Sequence, residues 1–357
     1  MDALSQEEFI KGRGAQVHVQ NKFLKHHYVK EHTEGLDEEW ELTASTQYFI
    51  EHPKKMVNKV TSPDVGPALS MNPYQGCEHG CIYCYARNTH EYYGFSAGLD
   101  FESKIIVKPD AAEVLRKQIS KPGWNVEPIM LAGNTDCYQP AERKFGITRK
   151  ILEVCLEFRH PLGLITKNAL ILRDIDLLQE LAKLELVTVS VSITSLVEET
   201  RLKMEPRTAT AKRRLEVVEK LSAAGVPVNL MAAPMVPFIN SHEMPSIMKA
   251  AAERGAVSAG YTLVRLNGAI GQIFTDWVYK AFPDKADRVI AAIKETHGGK
   301  LNESEFGKRM RGYGNFAQSI ADMYATAKRK YFAGRNLPPV RCDLFKVPPR
   351  GQLDLFD

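Results

Sequence analysis

Three cysteines, Cys77, Cys81 and Cys84, fall within eight residues of a 357-residue chain, in the run NPYQGCEHGCIYCYAR at 72–87. Thiolates are soft ligands, and the spacing Cys-x3-Cys-x2-Cys suits either zinc or an iron–sulfur cluster. A cubane held by protein alone normally takes four cysteines. No fourth lies nearby; the next, Cys137, comes 53 positions after Cys84. A cubane gripped by three thiolates leaves one iron open to an outside ligand, as a catalytic metal site keeps an open position. The alternative is a Cys3His zinc site with His79, inside the same loop, as fourth ligand. The six cysteines do not read as a disulfide framework, because a cytosolic chain keeps its thiols reduced.

The elements that must position this loop are legible as periodicity. Strand candidates at 68–71, 129–132, 162–166, 186–193, 226–232 and 257–264 alternate with amphipathic helices. Thr148 is expected to N-cap the helix bearing Ile151, Leu152, Cys155 and Leu156, and Asp174 to open the one bearing Leu177, Leu178, Leu181 and Leu184. Thr210 and Ser241 start two more, which Gly225 and Gly255 end. After the first, strand starts recur at 24 to 40 residues, the period of β-α units with right-handed crossovers. Six units predict an α/β fold, a partial (β/α)6 TIM-like barrel over 61–297. Residues 1–60 read as an N-terminal arm of irregular structure, with His26, His27 and His32 and an acidic patch at 34–41. Residues 298–357 read as a basic C-terminal extension. Cys155, Trp277 and the methionines are expected in the core.

Composition agrees. Hydrophobic residues make up 44% and charged residues 25%, which excludes collagen-like, mucin-like and wholly disordered chains. The longest nearly apolar run, 230–239, holds two prolines and is far short of the ~20 residues that span a bilayer. The opening residues MDALSQEEF carry no signal-peptide pattern, so the expectation is a cytoplasmic protein. Net charge is +4 but uneven: 308–350 holds ten Lys and Arg against Asp322 and Asp343. Tyr313, Phe316, Tyr324, Tyr331, Phe332 and Phe345 are interleaved with that charge. The mixture suits a phosphate backbone with bases to stack, and equally a solvated helix face with a basic tail.

The cysteine spacing after the first strand, with an aromatic before the last cysteine, resembles the radical S-adenosylmethionine (SAM) enzymes. The resemblance implies a [4Fe–4S] cluster on Cys77, Cys81 and Cys84 whose open iron chelates the amino and carboxylate groups of SAM. The reduced cluster then cleaves the sulfonium, and a 5′-deoxyadenosyl radical abstracts a substrate hydrogen. Within that superfamily the chain looks most like the spore photoproduct lyase branch. CIYCYAR is similar to that branch's cysteine region, implying that Tyr83 contacts the adenine and Tyr85 points toward the substrate. LAGNTDCYQP resembles the turn that meets the cofactor, implying contacts from Asn134, Thr135 and Asp136. LITKN implies that Lys167 pairs with the methionyl carboxylate, and VSITS that Ser192 reaches the ribose or carboxylate. MEPRT at 204–208 and AAPM at 232–235 also match the branch. One departure stands out: Gly133 occupies the place of the branch's hydrogen-donating cysteine, and Cys137, four residues later, is the nearest substitute.

The chain closes on RGQLDLFD, where Gln352, Leu353, Leu355 and Phe356 resemble the peptide that docks bacterial repair proteins on a sliding clamp. These readings converge on a radical SAM enzyme acting on nucleic acid, DNA favoured, in a lyase-like repair or modification reaction. Cys77, Cys81 and Cys84 bind the cluster, Tyr83, Asn134, Thr135, Asp136, Lys167 and Ser192 the cofactor, and Tyr85 and Cys137 relay the radical. An external flavodoxin or ferredoxin would supply electrons. The basic loop RLKMEPRTATAKRR at 201–214 would add phosphate contacts. The rivals are the same chemistry on a protein or small molecule, and a non-catalytic nucleic-acid-binding module with a structural metal.

Overall fold

The computed structural model describes residues 10, 12–23, 45–65 and 68–349. The clamp-like residues Gln352, Leu353, Leu355 and Phe356, and His26, His27 and His32, lie outside the described residues.

Six parallel strands, β1 (Ala68–Met71), β2 (Ile129–Leu131), β3 (Leu162–Thr166), β4 (Val187–Ser192), β5 (Val228–Met235) and β6 (Ser258–Leu263), form one sheet in sequential order. Asn58–Val60 adds an antiparallel strand at the β1 edge, so the sheet is open, with β6 at its other edge. This is the partial α/β barrel that the six periodic units predict. The connecting helices are α1 (Ala111–Ile119), α2 (Ile147–Glu157), α3 (Ile175–Lys183), α4 (Ala211–Ala223) and α5 (Met244–Glu253).

Period-two alternation separates the two faces of the sheet. In β4, Val187, Val189 and Val191 are buried in the main core with Leu178, Leu181, Val218 and Leu221 of the helices. Thr188 and Ser190, between them, are half-buried on the opposite, concave face, where Asn229 of β5 donates to Ser190 Oγ at 3.1 Å. A closed barrel fills this face with bulky branched side chains. Here it carries small and polar groups beside Ile165, Met130 and Met231, and Met130, expected in the core, is exposed on this face.

One helix start differs from the sequence expectation. Thr148 is the second residue of α2, not its cap; Gly146, at φ +61°, occupies the cap position. The Thr148 hydroxyl instead donates to the Cys137 carbonyl at 2.6 Å. Asp174 opens α3 from its cap position, as expected, although its side chain caps no amide. Its carboxylate is taken by Tyr138, Arg149 and Arg173. Thr210 does cap α4, accepting from the Arg213 amide.

Both flanks of the barrel are packed against it. A three-stranded sheet pairs Gln47–Ile50 with Lys104–Val107 and that strand with Tyr74–Gln75, just before the cysteine loop. Downstream come α6 (Ile270–Ala281), α7 (Ala286–Thr296) and α8 (Gly314–Tyr331). Arg335 donates to the Ala252 and Ala256 carbonyls at the end of α5, and the Lys346 amide to Phe158. Among the described residues no helix is long and apolar enough to cross a membrane.

Candidate active site

The cysteine loop sits at the C-terminal end of β1, where barrel chemistry collects. Its shape is set by backbone contacts that side chains enforce. The Cys77 amide donates to Phe101, and the Gln139 side chain clamps the loop by accepting from Glu78 N and donating to the Gly76 carbonyl. Arg87, fully buried, donates to the Cys81, Ala97 and Gly98 carbonyls and pairs with Glu102. Glu102 also accepts from the Gly14 and Ala15 amides, which seats part of the N-terminal arm on the loop. Gly80 turns there at φ +68°, and a Cβ on Gly14 would stand 1.7 Å from the Gly80 carbonyl oxygen. Only glycine permits that approach.

All three thiols are free, with Cys77 and Cys81 buried and Cys84 half-buried. Burial pushes each of them up, and Cys81 and Cys84 lie within electrostatic reach of Cys77. Lys167 and Arg214 oppose that shift at Cys81. Among the described residues no three His, Cys, Asp or Glu side chains stand close enough to share a single ion.

His79 is not available as a ligand. It is buried, and burial holds its imidazole down at about 4. In the neutral tautomer assigned by its neighbours, Nδ1–H faces the Asp136 carboxylate at 3.4 Å and Nε2 accepts from Asn168 at 3.1 Å. Both ring nitrogens are occupied, which removes the Cys3His alternative.

Asp136 works as a junction. It accepts from Thr166 Oγ1 at 2.8 Å, from the Lys167 amide at 2.7 Å and from the Tyr138 amide at 2.9 Å, locking the ends of β2 and β3 beside His79. Thr135 donates its hydroxyl to the Tyr74 carbonyl at 2.6 Å, and Asn134 donates to Gln75 Oε1 and Thr89 Oγ1. All three side chains of the NTD turn tie strand ends to the cysteine loop.

Tyr83 and Lys167 meet above this floor. The Tyr83 hydroxyl donates to the buried carboxylate of Glu205, which also pairs with Arg214. Burial alone would push Glu205 up, but Arg214, Lys167 and Tyr83 outweigh it and hold the carboxyl at about 2. Lys167, half-buried, places its ammonium 5.9 Å from the Tyr83 ring centroid. Cys81 and Glu205 outweigh its burial and keep it charged, yet no described side chain or carbonyl bonds it. Sequence reasoning noted MEPRT but assigned Glu205 no role, and it gave Arg214 to phosphate.

The remaining predicted residues scatter. Ser192 is buried at the end of β4, its carbonyl accepting from Arg214 at 2.9 Å. Tyr85 is half-exposed at the mouth and donates to the Gly133 carbonyl. Cys137 is fully buried in the main core with Tyr138 and Ala141, apart from the three loop thiols.

The basic stretches are largely committed to the fold. In the 201–214 loop, Arg201 binds the Glu205 and Thr208 carbonyls and Arg207 the Gly12 carbonyl. Of the interleaved aromatics, Phe332 is buried, while Tyr324, Tyr331 and Phe345 pack on the main core and Phe316 edges onto Phe238. Packing therefore takes one face of most of these rings, while Tyr313 stays exposed.

Comparison with known proteins decides the family. The radical SAM superfamily matches residues 71–251, half of the chain and the whole of β1 to α5 except its first and last residues. The chain belongs to the radical SAM superfamily. An uncharacterized protein of Mycobacterium tuberculosis is 33% identical over 238 residues, 66% of this chain and 70% of its own. Another, of Methanocaldococcus jannaschii, is 27% identical over 184 residues, 52% of this chain and 66% of its own. Among solved structures, spore photoproduct lyase has a similar fold, with TM-score 0.59 and 16% identity over 80% of each chain. One such structure holds the dinucleoside spore photoproduct, and another adds AdoMet.

Radical SAM membership implies a [4Fe–4S] cluster and SAM. The donor set fits such a group: three free thiols on one eight-residue loop, within electrostatic reach of Cys77, and a neighbouring histidine already engaged.

Proposed function

We propose that this radical SAM enzyme acts on nucleic acid, DNA in the first place, in a lyase-like repair or modification reaction in the cytoplasm. The observation that carries the chemistry is the loop of three free thiols at the strand ends of an open barrel beside a charged Lys167 that has no bonding partner among the described residues. Cys77, Cys81 and Cys84 would hold the cluster. When bound, the cluster and SAM supply a 5′-deoxyadenosyl radical.

The chain's own groups orient and enclose. Glu205 fixes the Tyr83 ring for the adenine, and Lys167 offers its ammonium to the methionyl carboxylate. Asn134, Thr135 and Asp136 support the turn beneath the cofactor, and Ser192 borders it from β4. Tyr85 faces the substrate side, while Cys137 would act only through intervening groups. The partial barrel holds reacting groups in place.

The nucleic-acid reading is supported by the likeness of fold to a lyase solved with a dinucleoside lesion, and by exposed Lys328, Arg329 and Lys330 on the last turn of α8. Docking on a sliding clamp through Gln352, Leu353, Leu355 and Phe356, and reduction by flavodoxin or ferredoxin, belong to the same proposal. The committed arginines and packed aromatics favour, as second reading, a protein or small-molecule substrate. Salt-sensitive binding of DNA separates the two.

Anaerobic reconstitution tests the chemistry. The expected result is a brown protein that forms 5′-deoxyadenosine with dithionite. Cys81→Ala should lose both colour and product; retention of either overturns the assignment.

A further inference from the structure

Outside the barrel, against β6, lies a cleft of about 370 Å³ lined by Tyr261, Arg311, Gly312, Tyr313, Gly314 and Gln318, among others. It opens on the first turn of α8, an eighteen-residue helix. Tyr313, in the cap position, is extended and caps no amide with its side chain, and no acidic residue stands in the first turn. The Gly314, Asn315 and Phe316 N–H groups have no acceptor among the described residues, as the start of a helix leaves them. The helix dipole adds positive potential at the same end.

A second observation points to a ligand. Tyr261 is only 4% exposed, and its hydroxyl, on a residue that lines the cleft, has no hydrogen-bond partner among the described residues. Buried hydroxyls without partners are costly and uncommon. Arg311 stacks on the same ring, its guanidinium carbon 4.7 Å from the centroid, and also faces Tyr324 at 5.9 Å. Its neighbours are paired, Arg309 with Asp64 and Lys308 with Glu305, but no described carboxylate takes Arg311. Glu295 approaches this turn, with Oε1 3.5 Å from where a Gly314 Cβ would be, yet it accepts none of the three amides.

We propose that this cleft binds a phosphate group. Arg311 supplies a planar charged fork, Tyr261 one hydroxyl donor and the first turn of α8 its free amides, a combination suited to a tetrahedral oxyanion. The phosphate is either a diester of a nucleic-acid strand or a free phosphate monoester. Tyr261 lies two residues from the end of β6, so the cleft is just outside the barrel mouth, where a strand entering the site would pass. The diester source rests on the nucleic-acid reading; the site itself does not.

Binding and thermal unfolding of the full reconstituted chain test it, using inorganic phosphate and a single-stranded oligonucleotide without terminal phosphates. If the diester is the ligand, Arg311→Ala weakens oligonucleotide binding by tenfold or more and lowers the salt slope by about one. If the free anion is the ligand, phosphate raises the unfolding midpoint of the wild type but not of Arg311→Ala, and oligonucleotide binding is unchanged. In either case Tyr261→Phe weakens the ligand by about fivefold without lowering the ligand-free midpoint, since it deletes an unpaired hydroxyl. Glu295→Gln should tighten it. The proposal is overturned if neither ligand distinguishes the wild type from Arg311→Ala and Tyr261→Phe. Substrate-free formation of 5′-deoxyadenosine, followed in the same samples, reports separately on the radical chemistry, which none of these variants should change.

Discussion

The Tyr83 hydroxyl donates to the Glu205 carboxylate across 122 residues of chain, joining the cysteine loop to the segment after β4. Arg214 pairs with the same carboxylate, and Lys167 lies close enough to help hold it ionised. The ring just before Cys84 is thereby fixed by a charge cluster that periodicity could not announce.

Glu205→Gln keeps the shape but removes the charge that balances Arg214 and Lys167. Breaking one side of a buried pair typically costs about 3–5 kcal/mol, and with the amide still accepting from Tyr83 we expect a loss near the lower end. Urea unfolding checks the stability. Weaker SAM binding with the iron content unchanged would show that Glu205 positions Tyr83.

Lys167→Met removes an ammonium that has no bonding partner among the described residues. A structural lysine would leave cofactor affinity unchanged. We expect SAM to bind tenfold to a hundredfold more weakly, the loss of a charge-assisted bond, with iron retained. Equilibrium dialysis against labelled SAM measures it.

Gly14→Ala drives a methyl into the Gly80 carbonyl. Overpacking of this kind costs about 1–3 kcal/mol, and the strain falls on the amides that Glu102 holds. The arm should become the first site of limited proteolysis, and iron should be lost faster on dilution.

His79, His90 and His160 are each held by burial at about 4, against 6.5 when free. A depressed pKa means that the unfolded chain binds more protons. The stability these groups contribute is complete above pH 6.5 and is lost as pH falls through 4. Each adds about 1.4 kcal/mol per pH unit within that window. Urea midpoints should therefore fall steeply between pH 6.5 and pH 4. His160→Gln, just before the N-terminal end of β3 and bonded to Trp124 and Pro161, should remove about a third of the slope.

Local pattern was enough for some features. The six strands, the buried Cys155 and Trp277, the Thr210 cap and the glycine helix ends depend on neighbours within a few residues, and sequence shows those directly. The cysteine spacing belongs to the same class, because a loop of eight residues must bring its thiols together whatever surrounds it.

Other assignments needed distance information. RLKMEPRTATAKRR reads as a phosphate-binding loop until Arg201 and Arg214 are seen turned inward onto carbonyls and Glu205. The aromatics after α7 read as a stacking platform until Tyr324, Phe332 and Phe345 are found on the barrel. His79 reads as a ligand until Asp136 and Asn168, 57 and 89 residues away, claim its two nitrogens.

Sequence by itself determined the order of strands and helices and the cluster of thiols, since both follow from short-range periodicity and spacing. Tertiary structure decided which charges face inward, which rings are spent on packing and which ammonium is left without a partner. The physical reason is that burial and pairing are properties of groups far apart in the chain, and a residue's type fixes what it can bond but not what it meets.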